Sequence, residues 1–266
     1  MEFKNILVVL DHTPSCSARL ELAIKLAKQH TARLSGLYAV SHGFFESKQN
    51  EAASHSDQVQ AGFLEAASRA GIGAHWIGVD KSIIGVGVAE IANLHAYYCD
   101  LVVVGQDEPG NVERRLPGDL PERLVLGSGR PVLIVPYAGN YSQFGERIML
   151  AWKSGRESAR AANDAMPLLK KAGEVHVVEV NSPTPDAAQA ELLCAHLELH
   201  GVVAKPENVA VADVSIGDAL LNRIFVEGDD LLVMGAFAHT RLGSLVLGDV
   251  ARHILKHMTV PVLMSH

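Results

Sequence analysis

Glycine and aspartate recur at the same interval in two parts of the chain, and this interval could hold a phosphate. Gly105 is followed by the pair Gly118-Asp119, and Gly235 is followed by Gly248-Asp249. Each first glycine ends an apolar run, and each Gly-Asp pair precedes a segment with helical periodicity. Glycine lets the backbone approach a phosphate, and a helix N-terminus supplies N–H donors and the positive end of a dipole. The two intervals are therefore the places in the chain to look for a ligand.

The aspartate at each helix start works against a phosphate. Asp119 begins the run Asp-Leu-Pro-Glu, with Glu122 three residues on, which predicts a capping box with proline in the first turn. The same carboxylate would face a phosphate, and like charges about 4 Å apart repel by about 1 kcal/mol in water and about 4 kcal/mol at an effective dielectric of 20. Glu108 adds a second negative charge in the first loop. The sequence thus predicts helices that cap themselves and weakened phosphate sites.

Both loops belong to a longer internal repeat. Asp100 to Pro136 and Asp230 to His266 have the same organisation: a buried strand ending in glycine, a loop, a helix, then proline and a second strand. At an offset of 130 residues the identical pairs are Asp100/Asp230, Leu101/Leu231, Val103/Val233, Gly105/Gly235, Gly118/Gly248, Asp119/Asp249, Pro131/Pro261, Val132/Val262 and Leu133/Leu263.

Strands alternate with helices through the rest of each half. In the first half, strands are predicted at Asn5 to Leu10, Ala32 to Val40 and Ala74 to Val79. Helices are predicted from about Ser15 to His30, in a segment that ends near Ala70, and at Val88 to Cys99. In the second half, strands are predicted at Arg147 to Trp152, Val175 to Val180 and Leu231 to Met234. Helices are predicted up to about Ala172, behind a capping box at Ser154 to Glu157, and at Asp186 to His200 and Asp218 to Glu227. This alternation predicts two doubly wound, parallel α/β domains, residues 1–140 and 141–266, joined by a linker at Tyr137 to Gly145. The first copy is about 12 residues longer, which we assign to the polar stretch after its second strand.

Composition and charge limit which partners and which compartment are expected for this protein. The net charge of −7 is shared evenly, without a basic run, so duplex nucleic acid is not an expected partner. No apolar run approaches the roughly 20 residues of a membrane span. Cys16, Cys99 and Cys194 lack metal or redox spacing, which indicates reduced thiols in a cytoplasmic protein.

The repeated pattern resembles the universal stress protein family, and two copies resemble a tandem member. The resemblance lies in the strand ending at Asp11, its small-residue helix, and the glycines and Pro-Val-Leu of both repeats. It implies Rossmann-like domains, each a five-stranded parallel sheet with helices on both faces. Because members pair through their last strands, it also implies that Pro131 to Pro136 and Pro261 to Ser265 lie side by side in an intramolecular pseudo-dimer.

The resemblance also implies nucleotide-binding positions, and both copies depart from the family pattern. The corresponding residues are Asp11, Gly105, Glu108, Gly118 and Asp119 in the first copy, and Lys153, Gly235, Ala238, Gly248 and Asp249 in the second. Aspartate replaces the hydroxyl in both, and Lys153 replaces the aspartate that closes the first strand. Positive charge is brought to the second copy by His239, Arg241 and Arg252. Binding of ATP or another adenine nucleotide is therefore expected in the second copy in preference to the first.

Three further features have alternative interpretations. His253 and His257 have metal-compatible spacing, but they also flank an apolar helix face near a helix C-terminus, which we favour. Cys16 at a helix start could be a stabilised thiolate, but a packed small residue is favoured. Trp152 at the end of a central strand could fill the place of an adenine ring, which the adjacent Lys153 favours, or stack on a ligand.

Three functional hypotheses follow. The first is a non-enzymatic stress-response or signalling module with degenerate nucleotide crevices. The second is an adenine nucleotide binder, or a slow ATPase, that uses the loop from Gly235 to Asp249. The third is a carrier of another small ligand, anionic or apolar, anchored by Lys153, His239 and Arg241. No catalytic residue or metal site is assigned, and a homodimer of whole chains stays open.

Overall fold

The computed structural model describes residues 2–40, 49–80, 86–108, 110, 116–181, 189–241 and 244–266, without the side chains at 40, 49–54, 80, 238–241 and 244–245. These residues divide into two units, Glu2–Tyr137 and Ala138–His266. Within the described ranges, every helix is too short or too polar to cross a membrane.

The first unit is a parallel sheet with crossover helices, as predicted. Its elements are β1 (Asn5–Leu10), α1 (Cys16–His30), β2 (Arg33–Val40), α2 (Gln49–Ala70), β3 (Ala74–Asp80), α3 (Val88–Ala96), β4 (Leu101–Gly105), α4 (Leu120–Gly127) and β5 (Val132–Val135). The strand order is β3-β2-β1-β4-β5, and each neighbouring pair is parallel. The residues assigned to the extra length of this copy fall partly at positions 41–48, outside the described residues.

The second unit repeats this topology. Its elements are β6 (Arg147–Trp152), α5 (Arg156–Leu169), β7 (Glu174–Val180), α6 (Gln189–Leu199), β8 (Lys205–Val209), α7 (Ile216–Glu227), β9 (Leu231–Gly235), β10 (Ala238–Arg241), β11 (Ser244–Leu247), α8 (Asp249–His257) and β12 (Val262–Ser265). The parallel order is β8-β7-β6-β9-β12, and β10 pairs with β11 as a separate antiparallel hairpin. The predicted Rossmann-like α/β fold is confirmed in both halves.

Two parts of the second unit were not expected from the sequence. Strand β8 is polar, contains Pro206 and has mostly exposed or half-buried residues, because it lies at the end of the strand order beyond β7. Edge strands tolerate proline and need no apolar alternation, so the pattern that identifies central strands is missing. The β10–β11 hairpin occupies the loop between the two glycines of the second repeat.

The strand order places the candidate residues at one edge of each sheet. Chain order reverses at β1, which lies between β2 and β4, and at β6, which lies between β7 and β9. Ligands of doubly wound sheets bind beyond the carboxyl ends of the strands at such a reversal. Asp11 and Gly105 stand at this edge of the first unit, and Lys153 and Gly235 stand at it in the second.

The predicted capping boxes are wrong. Asp119 precedes α4 with φ −86° and ψ 4°, outside the extended conformation that lets an N-cap side chain fold back, and its carboxylate makes no capping bond. Helix α8 begins at Asp249 itself, with Gly248 as its N-cap. Helix α5 has Gly155 as its N-cap, so Ser154 lies one residue too early to cap it. The Ser154 hydroxyl donates to Gln189 Oε1 at 2.5 Å. The aspartates therefore do not stabilise these helices by side-chain capping.

Asp100 and Asp230, by contrast, have a clear structural role in the repeat. The Asp100 carboxylate accepts hydrogen bonds from the backbone of Lys4 and Asn5, where β1 begins. The Asp230 carboxylate accepts from the backbone N–H groups of residues 145, 146 and 147 at 2.7, 3.1 and 3.3 Å, where β6 begins. Each aspartate thus attaches the first strand of its unit to the fourth.

We expect Asp230→Ala to lower the free energy of unfolding of the second unit by about 2–3 kcal/mol. The substitution removes a charged acceptor from backbone N–H groups, and hydrogen bonds to charged groups contribute about 1.5–3 kcal/mol. Urea unfolding monitored by Trp152 fluorescence in the Trp76→Phe background measures the loss. Asp213→Ala, at an exposed position, is the matched control, and an equal effect of the two substitutions would contradict this role.

Candidate functional site

In the first unit, a buried ion pair occupies the crevice. Arg19, on the second turn of α1, places Nη2 2.6 Å from Asp11 Oδ2, and the two side chains are only 4% and 9% exposed. The other oxygen of Asp11 accepts hydrogen bonds from the backbone N–H of Thr13, at 2.8 Å, and from its hydroxyl. Both carboxylate oxygens that could contact a nucleotide are therefore engaged within the protein.

The Arg19 guanidinium also covers Gly105. A Cβ added to Gly105 would overlap Arg19 Nη1, so the glycine leaves room for this side chain. The cavity that remains beside Asp11, Arg19 and Gly105 has a volume of about 40 Å³. Since one water needs at least about 10–15 Å³ measured in this way, the described space admits a few waters.

Local charges determine the ionisation of Asp11. Burial alone would raise the pKa of this carboxyl, but the Arg19 guanidinium and the hydrogen bonds from Thr13 together hold it below its ordinary value. Asp11 is thus the anionic half of a closed pair.

The structure brings together only part of the predicted first site. Glu108 lines the small cavity with Asp11 and Gly105. Gly118 and the exposed Asp119 are not among the residues that line this cavity, although their neighbours Pro117 and Leu120 are. Sequence reasoning missed Arg19, although a signal existed: the arginine shares the helical face of Leu22, Ala23 and Leu26, all of them buried.

The second unit has an open cavity at the corresponding place. Its volume is about 320 Å³, and its lining includes four of the predicted residues, Lys153, Gly235, Gly248 and Asp249. Trp152 borders the cavity and does not fill it. The side chains of Ala238, His239 and Arg241 lie outside the described residues.

The difference in volume has a simple sequence origin. At the offset of 142 residues that relates β1 to β6, Lys153 corresponds to Asp11 and Ala161 corresponds to Arg19. A buried methyl group thus replaces the guanidinium that lies beside Asp11 in the first crevice. The two crevices are therefore structurally different despite the repeated glycines.

Two charged groups stand on the lining of the second cavity. The exposed Lys153 places Nζ 5.3 Å from the centroid of the Phe237 ring, a cation–π distance, and has no carboxylate partner among the described residues. Asp249 in the first turn of α8 is exposed and forms an ion pair with Arg252 at 2.5 Å. Among the described lining residues, the unpaired charge is therefore positive.

Gly235 has a packing role. A Cβ at this position would overlap the backbone nitrogen of Ser158 and lie 2.5 Å from the carbonyl carbon of Glu157. Helix α5 thus lies directly on the end of β9. This glycine is required by the helix whether or not a phosphate binds.

The remaining candidates have structural roles. His253 Nε2 lies 2.8 Å from Asp218 Oδ1, and His257 Nδ1 lies 2.9 Å from the His253 carbonyl oxygen. No cluster of three metal-binding side chains occurs within the part of the chain that the structure describes. Cys16 is buried in the first turn of α1.

The fold and the crevices define a class of protein: a tandem pair of doubly wound α/β units with ligand crevices beyond β1 and β6. The model of the universal stress protein family matches residues 2–136 and 145–266. The chain therefore belongs to the universal stress protein family, as a member with two tandem domains.

Solved structures have the same fold over the whole chain. A universal stress protein from Archaeoglobus fulgidus DSM 4304 is 16% identical with a TM-score of 0.78, over 98% of this chain and 97% of that one. A functionally unknown protein from Pseudomonas aeruginosa PAO1 is 18% identical with a TM-score of 0.67, over 99% and 92%. A putative universal stress protein from Pseudomonas aeruginosa UCBPP-PA14 is 19% identical with a TM-score of 0.63, over 99% and 93%. Among curated proteins, no sequence matches significantly.

Proposed function

We propose that this tandem universal stress protein is a non-enzymatic stress-response module with one closed crevice and one ligand-binding crevice. The observation that carries the proposal is the buried Asp11–Arg19 pair, which occupies the first crevice and leaves about 40 Å³ beside it. A nucleotide could enter there only by displacing Arg19 and leaving a buried carboxylate without its partner. Since breaking a buried pair costs about 3–5 kcal/mol, this cost alone would weaken binding by a factor of about 100 or more.

The second crevice is open but does not suit a nucleotide. Asp249 stands in the first turn of α8, where a phosphate would approach, and Lys153 replaces the aspartate expected from the family pattern. A cavity of about 150 Å³ holds one benzene ring, so the cavity of about 320 Å³ suits a ligand of about 12 non-hydrogen atoms, roughly half of an adenine nucleotide. We therefore assign this crevice to a smaller ligand.

Catalysis is not part of the proposal. The described ionisable groups on the second cavity are Lys153 and Asp249, and Asp249 is already paired with Arg252. General acid–base catalysis needs a donor and an acceptor placed at the reacting atoms. The residues that line the second cavity support ligand binding more simply than catalysis, and such binding would change the stability of the second unit.

We also propose that the two units form the pseudo-dimer that the family pattern implies, in the cytoplasm. Each of β5 and β12 has one neighbour within its own unit, β4 and β9 respectively. An apolar strand at the end of a sheet needs a cover, and pairing of two such strands would supply it. The cysteines at 16, 99 and 194 are free thiols, in keeping with a reducing compartment.

A thermal-shift series tests the proposed function. We expect Mg·ATP, AMP and cAMP at millimolar concentration to leave the melting temperature of the full chain unchanged, because ligand binding to the native state would raise it. The control is Val250→Trp, which adds a large side chain at the wall of the second cavity. A nucleotide-dependent rise that Val250→Trp abolishes would instead support the hypothesis of an adenine nucleotide in the second crevice.

A further inference from the structure

The cavity of the second unit has an apolar wall and one unpaired cation. Most of its described lining comes from aliphatic or aromatic side chains, among them Val178, Ile216, Leu220, Met234 and Phe237. Burial of apolar ligand surface against such a wall provides most of the binding free energy of small ligands. The body of the ligand should therefore be apolar.

The polar groups of the lining favour one negative charge. Lys153 is exposed at the cavity, stands over the Phe237 ring and has no anionic partner among the described residues. Asp249 is already neutralised by Arg252, so the free charge of the described lining is a single positive one. Within the described lining, a monoanion matches the one unpaired cation, whereas a phosphate dianion would leave one negative charge unbalanced.

We propose that the second crevice binds a small amphiphilic monocarboxylate, with an apolar body of about ten carbon atoms in the cavity and its carboxylate at Lys153. The size follows from the volume of about 320 Å³, compared with about 150 Å³ for a cavity that holds benzene. This ligand class rests on the proposed function, in which the second crevice is the open one. It identifies the chemistry to which the stress-response module would respond.

Trp152 makes the proposal directly measurable. The chain has two tryptophans, so in the Trp76→Phe variant the fluorescence comes from Trp152 at the cavity wall. Decanoate, below its micelle concentration, is the probe, and decan-1-ol is its uncharged analogue. We expect decanoate to change the Trp152 emission saturably and to bind more tightly than decan-1-ol.

The variants separate charge from cavity. Lys153→Met should weaken decanoate binding about fivefold, since one exposed ion pair is lost, and should leave decan-1-ol binding unchanged. Lys153→Arg should restore decanoate binding, and Lys170→Met, an exposed lysine at the end of α5, should have no effect. Val250→Trp, measured by isothermal titration calorimetry because the new indole also fluoresces, should abolish the binding of both probes.

Three outcomes would overturn the proposal, and they differ from failure of the proposed function. Equal affinity for decanoate and decan-1-ol would exclude a carboxylate at Lys153, and decanoate binding that Val250→Trp leaves intact would exclude this cavity. No response to decanoate, with Mg·ATP also silent, would reject the ligand class while the degenerate crevices stand. Binding of Mg·ATP that Val250→Trp removes, measured by calorimetry, would reject the proposed function itself.

Discussion

Arg19→Ala is expected to lower the free energy of unfolding of the first unit by about 3–5 kcal/mol, because removal of one partner leaves a buried charge uncompensated. Asp11 and Arg19 lie 2.6 Å apart with side chains 9% and 4% exposed, so solvent screens neither group. The loss can be measured by urea unfolding in the Trp152→Phe background, where Trp76 reports on the first unit alone.

Two control variants make this prediction specific. The double variant Asp11→Asn/Arg19→Met should recover much of the stability, because a neutral, well-packed replacement of a buried pair is often tolerated. Arg69→Ala removes an exposed arginine that lies 3.8 Å from Glu65, and it should cost about 0.5 kcal/mol or less. A loss for Arg19→Ala no larger than that for Arg69→Ala would contradict the closed crevice.

The same pair predicts a pH dependence. The pKa of Asp11 in the folded chain lies below its ordinary value of 3.8, as burial, which raises it, is outweighed by Arg19 and Thr13. The unfolded chain therefore binds the proton more readily. The stabilisation is fully present above the ordinary pKa and is lost as the pH falls through the folded value. Urea unfolding at decreasing pH should show a larger acid-dependent loss in the wild type than in the double variant.

Gly235→Ala is expected to destabilise the second unit by about 3 kcal/mol, at the upper end of the cost of overpacking. The new methyl group would overlap the Ser158 nitrogen and approach the Glu157 carbonyl carbon, and these are backbone atoms of α5 that cannot rotate away. Helix α5 must therefore move from β9. Urea unfolding monitored by Trp152 in the Trp76→Phe background measures the effect.

Gly62→Ala is the matched control. Gly62 lies within α2, and an added Cβ would have no atom within 4 Å. Alanine is favoured over glycine inside a helix by about 0.5–1 kcal/mol, so this variant should become more stable. If Gly235→Ala changed the free energy of unfolding as little as Gly62→Ala, the result would contradict the close approach of α5 to β9.

The repeat predicted the fold because its signals depend on local sequence. Continuous apolar strands such as Leu101–Gly105 and Leu231–Gly235 can be recognised in the sequence because both faces of a central strand are covered. The offset between the halves then located the second copy of each element. The edge strand Lys205–Val209 lacks such a signal, so its existence followed only from the structure.

The site could be predicted less well because it depends on contacts between distant residues. Asp11, Gly105 and Lys153 were identified from the resemblance to the family pattern, and the structure puts them at the crevices. Arg19 was missed because an arginine on a helix is ordinarily exposed, and only its approach to Asp11 and Gly105 makes it the group that closes the crevice. The capping predictions failed because they depend on backbone angles, which the residue type at Asp119 does not determine.

Native mass spectrometry of the full chain with decanoate and AMP tests the difference between the crevices most directly. The account predicts one bound decanoate per chain, absent in Val250→Trp, and no bound AMP in either protein. A bound AMP, whether it persists in Val250→Trp or is lost in it, would contradict the account.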